Sequence, residues 1–473
     1  MQRIKPTLII QVILVLSCLS STPGFAIEKI AEKTDTQSEK IFEKKLVIVS
    51  SFPEKMTSIY ESAFEEKYPT VDVEVLKKKT TAGLKYIDEN PVDLFWVSAP
   101  DAFEVLKKKN RLKAYHPDVK GIPRRISGYP VHEENGFYSG FAAAGYGIMW
   151  NKDYLQTHEL SPPTEWIDLT RPEYQGHIGL SAPSRSGTTH LTVEAILQLK
   201  GWEPGWVLVK AIAANAKVIT EKSSGVPKGV VSGEFGIGIV IDYYGLTAKA
   251  SNAAIDFAYP SSTVFVPSGI AVLKKSPEPD LAEKFIDFVL SKKGQRLLLH
   301  PDISRLPVSP EAYQVEDIPV GYPQPFSAKP LGSQTAFDVQ KSRLRYNLVN
   351  SLFDVMITYR MDELKMAVLS LQTAEKKLLS PLTKPVKPSS EKLASALVRG
   401  RDLINYLPVN ELSSYDPKFT AKFKKKRKKA TDVIAGEQGD IEQAWDRSIK
   451  QKYQLAKEIV EASLVSPLTK GIE

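Results

Sequence analysis

Ser184, Arg185, Ser186, Gly187, Thr188, Thr189 and His190 place hydroxyls, a guanidinium and an imidazole around one glycine, a set of residue types suited to holding an anion. The apolar run at 178–180 ends in Ser181 and Pro183, as a buried strand does on entering a turn, and Leu191, Val193, Ala195, Ile196 and Leu199 begin a helical pattern just downstream. The first turn of such a helix presents backbone N–H groups without intrahelical partners and the positive end of the dipole, which favour a phosphate or carboxylate. The plainer reading is that Ser186 or Thr188 is an N-cap beside a turn glycine, with no ligand. Arg185 and His190 favour the anion, because a cap needs neither.

Other strand ends supply small polar or acidic residues: Ser51, Ser98 and Asp242, with Tyr243 and Tyr244 directly after, and the loop Ser223, Ser224 and Gly225 as a further lip. In open α/β sheets, ligands bind outside the carboxyl ends of the strands, so these residues could converge on one cleft. Singly, each is a turn or cap residue. Catalytic signatures are missing: no G-x-S-x-G elbow, no phosphate loop of the GxxxxGK type, and histidines at 116, 132, 158, 177, 190 and 300 without metal-ligand spacing. Neither an enzymatic activity nor a cofactor is expected.

The elements that position these residues follow from periodicity. Residues 46–49 read as a short buried strand, 56–68 as a helix, Val71, Val73 and Val75 as a strand with one wetter face, and 92–97 as a third strand before another helix. That order predicts a parallel α/β sheet. The glycine- and alanine-rich stretch 137–150 predicts one crossing between two lobes, and 264–273 predicts the return. Lobe 1 is expected at 46–140 and 270–330, and lobe 2 at 141–269. From 336 to 473 the texture changes to helices, at 343–379, 391–406 and 437–464, and a separate helical domain is expected there. A chain ending near Gln334 is accordingly expected to fold and bind. SPLTK occurs after two of these helices, at 380–384 and 466–470.

At 473 residues two to three domains are expected. Residues 1–26 have Arg3 and Lys5, an apolar core and a Gly24, Phe25, Ala26 cleavage site, the pattern of a secretory signal, with 27–45 as a leader. The single cysteine, Cys18, lies inside it; lipidation at Cys18 is the weaker alternative, because Leu16 sits where a smaller residue is usual. The net charge of +8 falls to +6 once Arg3 and Lys5 leave with the signal. Lys424 to Lys429, with Arg427, form a dense cationic block suited to anionic lipid or an acidic partner; nucleic acid is not expected of an exported protein.

Taken as an ordered set, VSSFP, DLFWVSAPDAF, GYGIMWNK, PPTEWIDLTRPEYQGHIGLSAPSRSGTTH, SGEFGIGIVIDYYG and VPSGIAVLKKSPEPDLAEKFIDFVLSKKGQ resemble the periplasmic solute-binding proteins of ABC uptake systems. The resemblance is to the ferric-iron binding branch, and within it to sugar-phosphate and phosphoglycerate-type binders. It implies a type II two-lobed fold whose hinge strands close on a ligand, a periplasmic monomer, and delivery of a small phosphorylated anion to an ABC permease. It equally admits a ligand-sensing subunit for a membrane histidine kinase. Iron binders of the branch use adjacent tyrosines, which Tyr243 and Tyr244 match by type, so iron is the alternative ligand. The Ser-, Thr- and His-bearing cradle suits phosphate better.

Overall fold

A computed structural model describes residues 42–464, except 127, 253, 315–317, 319–320, 328–330, 333–336, 380–386 and 425–431. The signal and nearly all of the leader, Cys18, both SPLTK copies and Lys425 to Lys429 therefore lie outside the described residues.

The first lobe opens β1 (Lys44–Ser50), α1 (Glu54–Lys67), β2 (Val71–Lys77), α2 (Thr80–Glu89), β3 (Leu94–Val97), α3 (Pro100–Lys108). β1 pairs in parallel with both β2 and β3. Leu46, Ile48 and Val49 are fully buried because helices cover both faces of the sheet, whereas β2, at the edge, buries Val71 and Val73 and leaves Asp72 and Glu74 half-exposed. A short hairpin, β4 (Arg125–Ile126) and β5 (Tyr129–Pro130), leads into β6 (Ser139–Asn151).

All thirteen residues of β6 are buried, and the strand serves two sheets in succession. Its first half pairs with β11 (Phe265–Val272), from Ser139 opposite Ile270 to Gly145 opposite Phe265. Its second half, from Tyr146 to Trp150, pairs with β9 (Ile237–Ile241). Small residues permit this double burial: a Cβ on Gly147 would lie 2.3 Å from the Ala258 carbonyl oxygen. These are the two crossings expected at 137–150 and 264–273.

The second lobe adds α4 (Lys152–Thr157), β7 (Ile178–Ser181), α5 (Gly187–Lys200), α6 (Trp202–Ala214), β8 (Ala216–Thr220), α7 (Gly225–Ser232), α8 (Asp242–Ser251) and β10 (Ile255–Ala258). β7 lies parallel between β8 and β9. The only break between α5 and α6 is Gly201, at φ +92°, where a left-handed residue ends one helix and the next begins at once. After β11 the chain re-enters lobe 1 as α9 (Pro279–Leu290), α10 (Lys292–Leu297) and β12 (Leu306–Pro307), so type II two-lobed α/β architecture is present.

The helical extension comprises α11 (Val339–Phe353), a π-helical turn at Asp354–Thr358, α12 (Met361–Leu379), α13 (Lys387–Asn405), α14 (Glu411–Tyr415), α15 (Pro417–Thr420) and α16 (Glu437–Leu464). The expected single helix over 343–379 is broken at the π turn, where the buried Asp354 carboxylate accepts a bond from the Thr358 hydroxyl at 2.9 Å. The expected C-terminal helical region is present, but it does not stand apart from lobe 2. Leu348, Phe353, Leu364, Leu397 and Tyr453 share one continuous core with Trp166, Trp202, Trp206 and Ile212 of lobe 2. The indole N–H of Trp202 donates to the Val409 carbonyl at 2.9 Å, and the Lys210 ammonium donates to the Ile404 carbonyl at 2.5 Å. Residues on α6 thus face the sheet on one side and the extension on the other.

Beside the start of β6, His132 has both ring nitrogens buried without a hydrogen-bond partner, and burial pushes its pKa from 6.5 down to about 4. Below pH 6.5 the unfolded chain takes up this proton before the folded one does, so stability is lost as pH falls towards about 4. The loss is expected to reach up to about 3 kcal/mol. Denaturant unfolding at pH 7 and pH 4.5 should show that His132→Phe removes this part of the acid sensitivity; an unchanged pH dependence would refute the assignment.

Candidate functional site

The turn expected to cradle an anion lies where β7 ends and α5 begins. Ser186 is the N-cap of α5: its hydroxyl accepts from the Thr189 N–H at 3.1 Å, and its carbonyl from the His190 N–H at 2.9 Å. That leaves the N–H groups of Gly187 and Thr188 as the orphan donors of the helix start. The Ser181 and Thr189 hydroxyls bond to each other and tie the turn to the strand end.

Gly187 and Thr188 form one wall of an interlobe cavity of about 420 Å³. Lobe 1 contributes Ser98 and Asp101, the hinge strand β6 contributes Tyr146, and α11 contributes Arg343 and Tyr346. Four parts of the chain therefore meet at one space. A smaller cavity of about 40 Å³ lies on the lobe 2 side of Thr188 and Thr189, with Ser223 and Tyr244 in its lining.

The family model for bacterial extracellular solute-binding proteins matches residues 89–327. The phosphoglycerate transport regulatory protein PgtC of Salmonella typhimurium is 31% identical over 394 residues, 81% of this chain and 91% of that protein. This chain belongs to the family of bacterial extracellular solute-binding proteins. Members bind solutes and are not enzymes. The Fe(3+)-binding periplasmic protein of Serratia marcescens is 30% identical over 173 residues, 35% of this chain and 49% of that protein. In fold, the periplasmic binding protein AfuA from Actinobacillus pleuropneumoniae, solved with exogenous fructose-6-phosphate bound, matches with a TM-score of 0.57 at 22% identity. The periplasmic binding protein P5PA matches with a TM-score of 0.55 at 20% identity. Both align 98–99% of their own length to 66% of this chain, which leaves a third of it without a counterpart in them. Among the described residues no helix is long and apolar enough to cross a membrane.

In this solute-binding protein the expected site residues separate into two groups. Ser98, Gly187 and Thr188 line the cavity, with Ser51 directly behind, its hydroxyl accepting from the Ser98 N–H at 3.3 Å. Ser186 and Thr189 shape the cradle from within. Ser184 and Arg185 sit beneath it: the Ser184 hydroxyl is buried without a hydrogen-bond partner, and the Arg185 side chain is only 4% exposed, 3.6 Å from Glu221. Ser224 adjoins α7 without a capping bond, and its neighbour Ser223 reaches the small cavity instead.

Two expectations are corrected. His190 is fully buried; its Nδ1 is 2.9 Å from the Asn350 side-chain oxygen, and its ring centroid is 3.9 Å from that of Tyr346, so it docks α11 rather than facing a ligand. Asp242 is also buried, accepting from the N–H groups of Gly145 at 2.6 Å and Tyr243 at 2.7 Å and from the Tyr259 hydroxyl at 3.0 Å. Its carboxylate fastens α8 to the hinge strand from a position only 1% exposed, so it braces the fold rather than facing a ligand; burial pushes its pKa up to about 6.

Tyr243 and Tyr244 lie against each other with centroids 4.2 Å apart. The guanidinium of Arg305, from lobe 1, sits 4.1 Å over the Tyr243 ring and 4.8 Å from that of Phe52. Arg305 is buried and its Nη1 has no hydrogen-bond partner. The sequence reading missed Arg343, Tyr346, Tyr146 and Asp101 as cavity-lining residues. DLFWVSAPDAF holds Asp101 and GYGIMWNK holds Tyr146, so both lay inside segments that had been quoted without either residue being named.

Proposed function

We propose that this chain captures a small phosphorylated organic anion in the interlobe cavity and presents it to an inner-membrane ABC permease, in the periplasm. The observation that carries the reading is that Gly187 and Thr188, at the start of α5, line a ligand-sized cleft shared by both lobes. The likeness to a protein named for phosphoglycerate transport, and to a fold solved with a sugar phosphate, supports it. A ligand-sensing role for a membrane histidine kinase is the second reading, favoured by the word regulatory in the name of the Salmonella typhimurium relative and by the helical extension at the cavity wall. Ferric iron at Tyr243 and Tyr244 is the weaker alternative: neither tyrosine lines the interlobe cavity, and the Arg305 guanidinium already sits 4.1 Å over the Tyr243 ring, where it opposes a cation.

Phosphorylated three- to six-carbon acids and sugars are expected to raise the melting temperature of the purified protein, while their dephosphorylated forms leave it unchanged. Ligand at about a hundred times its Kd stabilises by roughly 2.7 kcal/mol, which a thermal scan resolves. Gly187 is the position to obstruct, because a Cβ there would meet only the Tyr346 hydroxyl at 4.0 Å; Gly187→Phe should fold and lose the response. A protein unmoved by every phosphorylated compound, yet coloured by ferric iron until Tyr243 becomes Phe, would overturn the proposal in favour of iron.

A further inference from the structure

Helix α11 belongs to the extension, yet Arg343 and Tyr346, one turn apart on it, line the cavity with Gly187, Thr188 and Asp101. Arg343 is held in place from lobe 1. Its Nη1 donates to Glu104 on α3 at 3.0 Å, both side chains being 17% exposed, and the other Glu104 oxygen accepts from the Tyr138 hydroxyl at 2.9 Å. From lobe 2, α11 is fixed by Arg345, whose guanidinium donates to Glu194 of α5 at 2.7 Å. A guanidinium has five N–H donors, and the bond to Glu104 uses one of them. The remaining edge is a rigid fork matched to a planar carboxylate. Tyr346 sets the neighbouring wall, its ring against His190 and its hydroxyl beside Gly187. Asp101 adds an acceptor for ligand hydroxyls and weighs against a third anionic group.

We infer that Arg343 is a ligand-contacting residue supplied by the helical extension, and that it reads a carboxylate on a ligand whose phosphate lies at Gly187 and Thr188. The preferred ligand class is then a small phosphorylated hydroxy acid rather than a phosphorylated neutral polyol or sugar. This rests on the phosphate reading of the cavity given above.

Two probes separate the claims: 3-phosphoglycerate and glycerol 3-phosphate share a phosphate and a three-carbon chain and differ in the carboxylate. By calorimetric titration the wild-type protein should bind 3-phosphoglycerate at least tenfold more tightly. Arg343→Gln should remove that preference, weakening 3-phosphoglycerate by tenfold or more while glycerol 3-phosphate stays within about twofold. Arg343→Lys, which keeps the charge and loses the fork, should fall between. Retained glycerol 3-phosphate binding shows that the variant is folded. Equal weakening of both probes, or of neither, overturns the assignment of Arg343 while leaving the phosphate reading in place. Failure of the wild type to bind either probe overturns the phosphate reading and this inference with it.

Discussion

A chain ended near Gln334 is expected to lose the cooperative folding of its second lobe, and with it all ligand binding. The extension does not rest on a finished lobe. Trp202 and Trp206 of α6 are fully buried in a core completed by Leu348, Phe353, Leu364, Leu397 and Tyr453, all supplied after residue 336. Exposing a buried side chain of this size costs roughly 1.5–3 kcal/mol, so a handful is comparable to the whole 5–15 kcal/mol by which proteins are typically stable. Polar costs add to this: Trp202 loses the Val409 carbonyl, Lys210 loses those of Ile404 and Tyr406, and Glu194 is left without Arg345. Near-ultraviolet circular dichroism and dye binding should show a shortened chain with lost tertiary packing and exposed apolar surface. A shortened chain that melts cooperatively near the temperature of the full chain and still binds phosphorylated compounds would refute this.

The error in the sequence reading has a physical cause. A pattern of apolar residues at helical spacing declares that a face will be buried but not against what, so 336–473 read equally well as a self-contained bundle or as the missing half of another core. Trp202 and Trp206 held a clue, since two indoles four residues apart on a helix that also packs on a sheet need cover on a second side. The hinge strands were easier to read. In 137–150 the small residues serve the close approach of two other strands to β6, and that constraint is local in sequence. The cradle was legible for the same reason, because the turn, the cap and the glycine all lie within seven residues. His190 and Asp242 were misjudged because a histidine or carboxylate near a strand end can bind outward or brace inward, and their partners, Asn350 and Gly145, lie 160 and 97 residues away. Arg343 and Arg345 stand two residues apart in SRLRYNLVN, and nothing in that string says that one reaches lobe 1 and the other lobe 2.

Arg345→Met is expected to be the most damaging single substitution at this junction, and its pH dependence should identify the reason. Arg345 is 1% exposed and Glu194 0%. The guanidinium spans both carboxylate oxygens, with Nη2 and Nε donating at 2.7–3.1 Å, and its plane lies 4.8 Å from the Trp202 ring. Gln198 gives Glu194 one further bond at 2.8 Å. Removing one member of a buried pair leaves the other charge in a dry site, which costs about 3–5 kcal/mol. Burial already pushes the Glu194 carboxyl above its usual range, against the pull of Arg345; without the arginine, burial prevails further. A carboxyl whose folded pKa lies above its unfolded one is most favourable to folding at low pH, and that advantage is lost as pH rises through the folded value. The deficit of Arg345→Met should therefore be small near pH 5 and grow towards neutrality, and adding Glu194→Gln should recover most of it at pH 7. Urea unfolding of both variants at pH 5 and pH 7 tests this. A deficit that is the same at both pH values and is not relieved by Glu194→Gln would show that lost packing against Trp202, rather than a stranded carboxylate, holds α11 to α5.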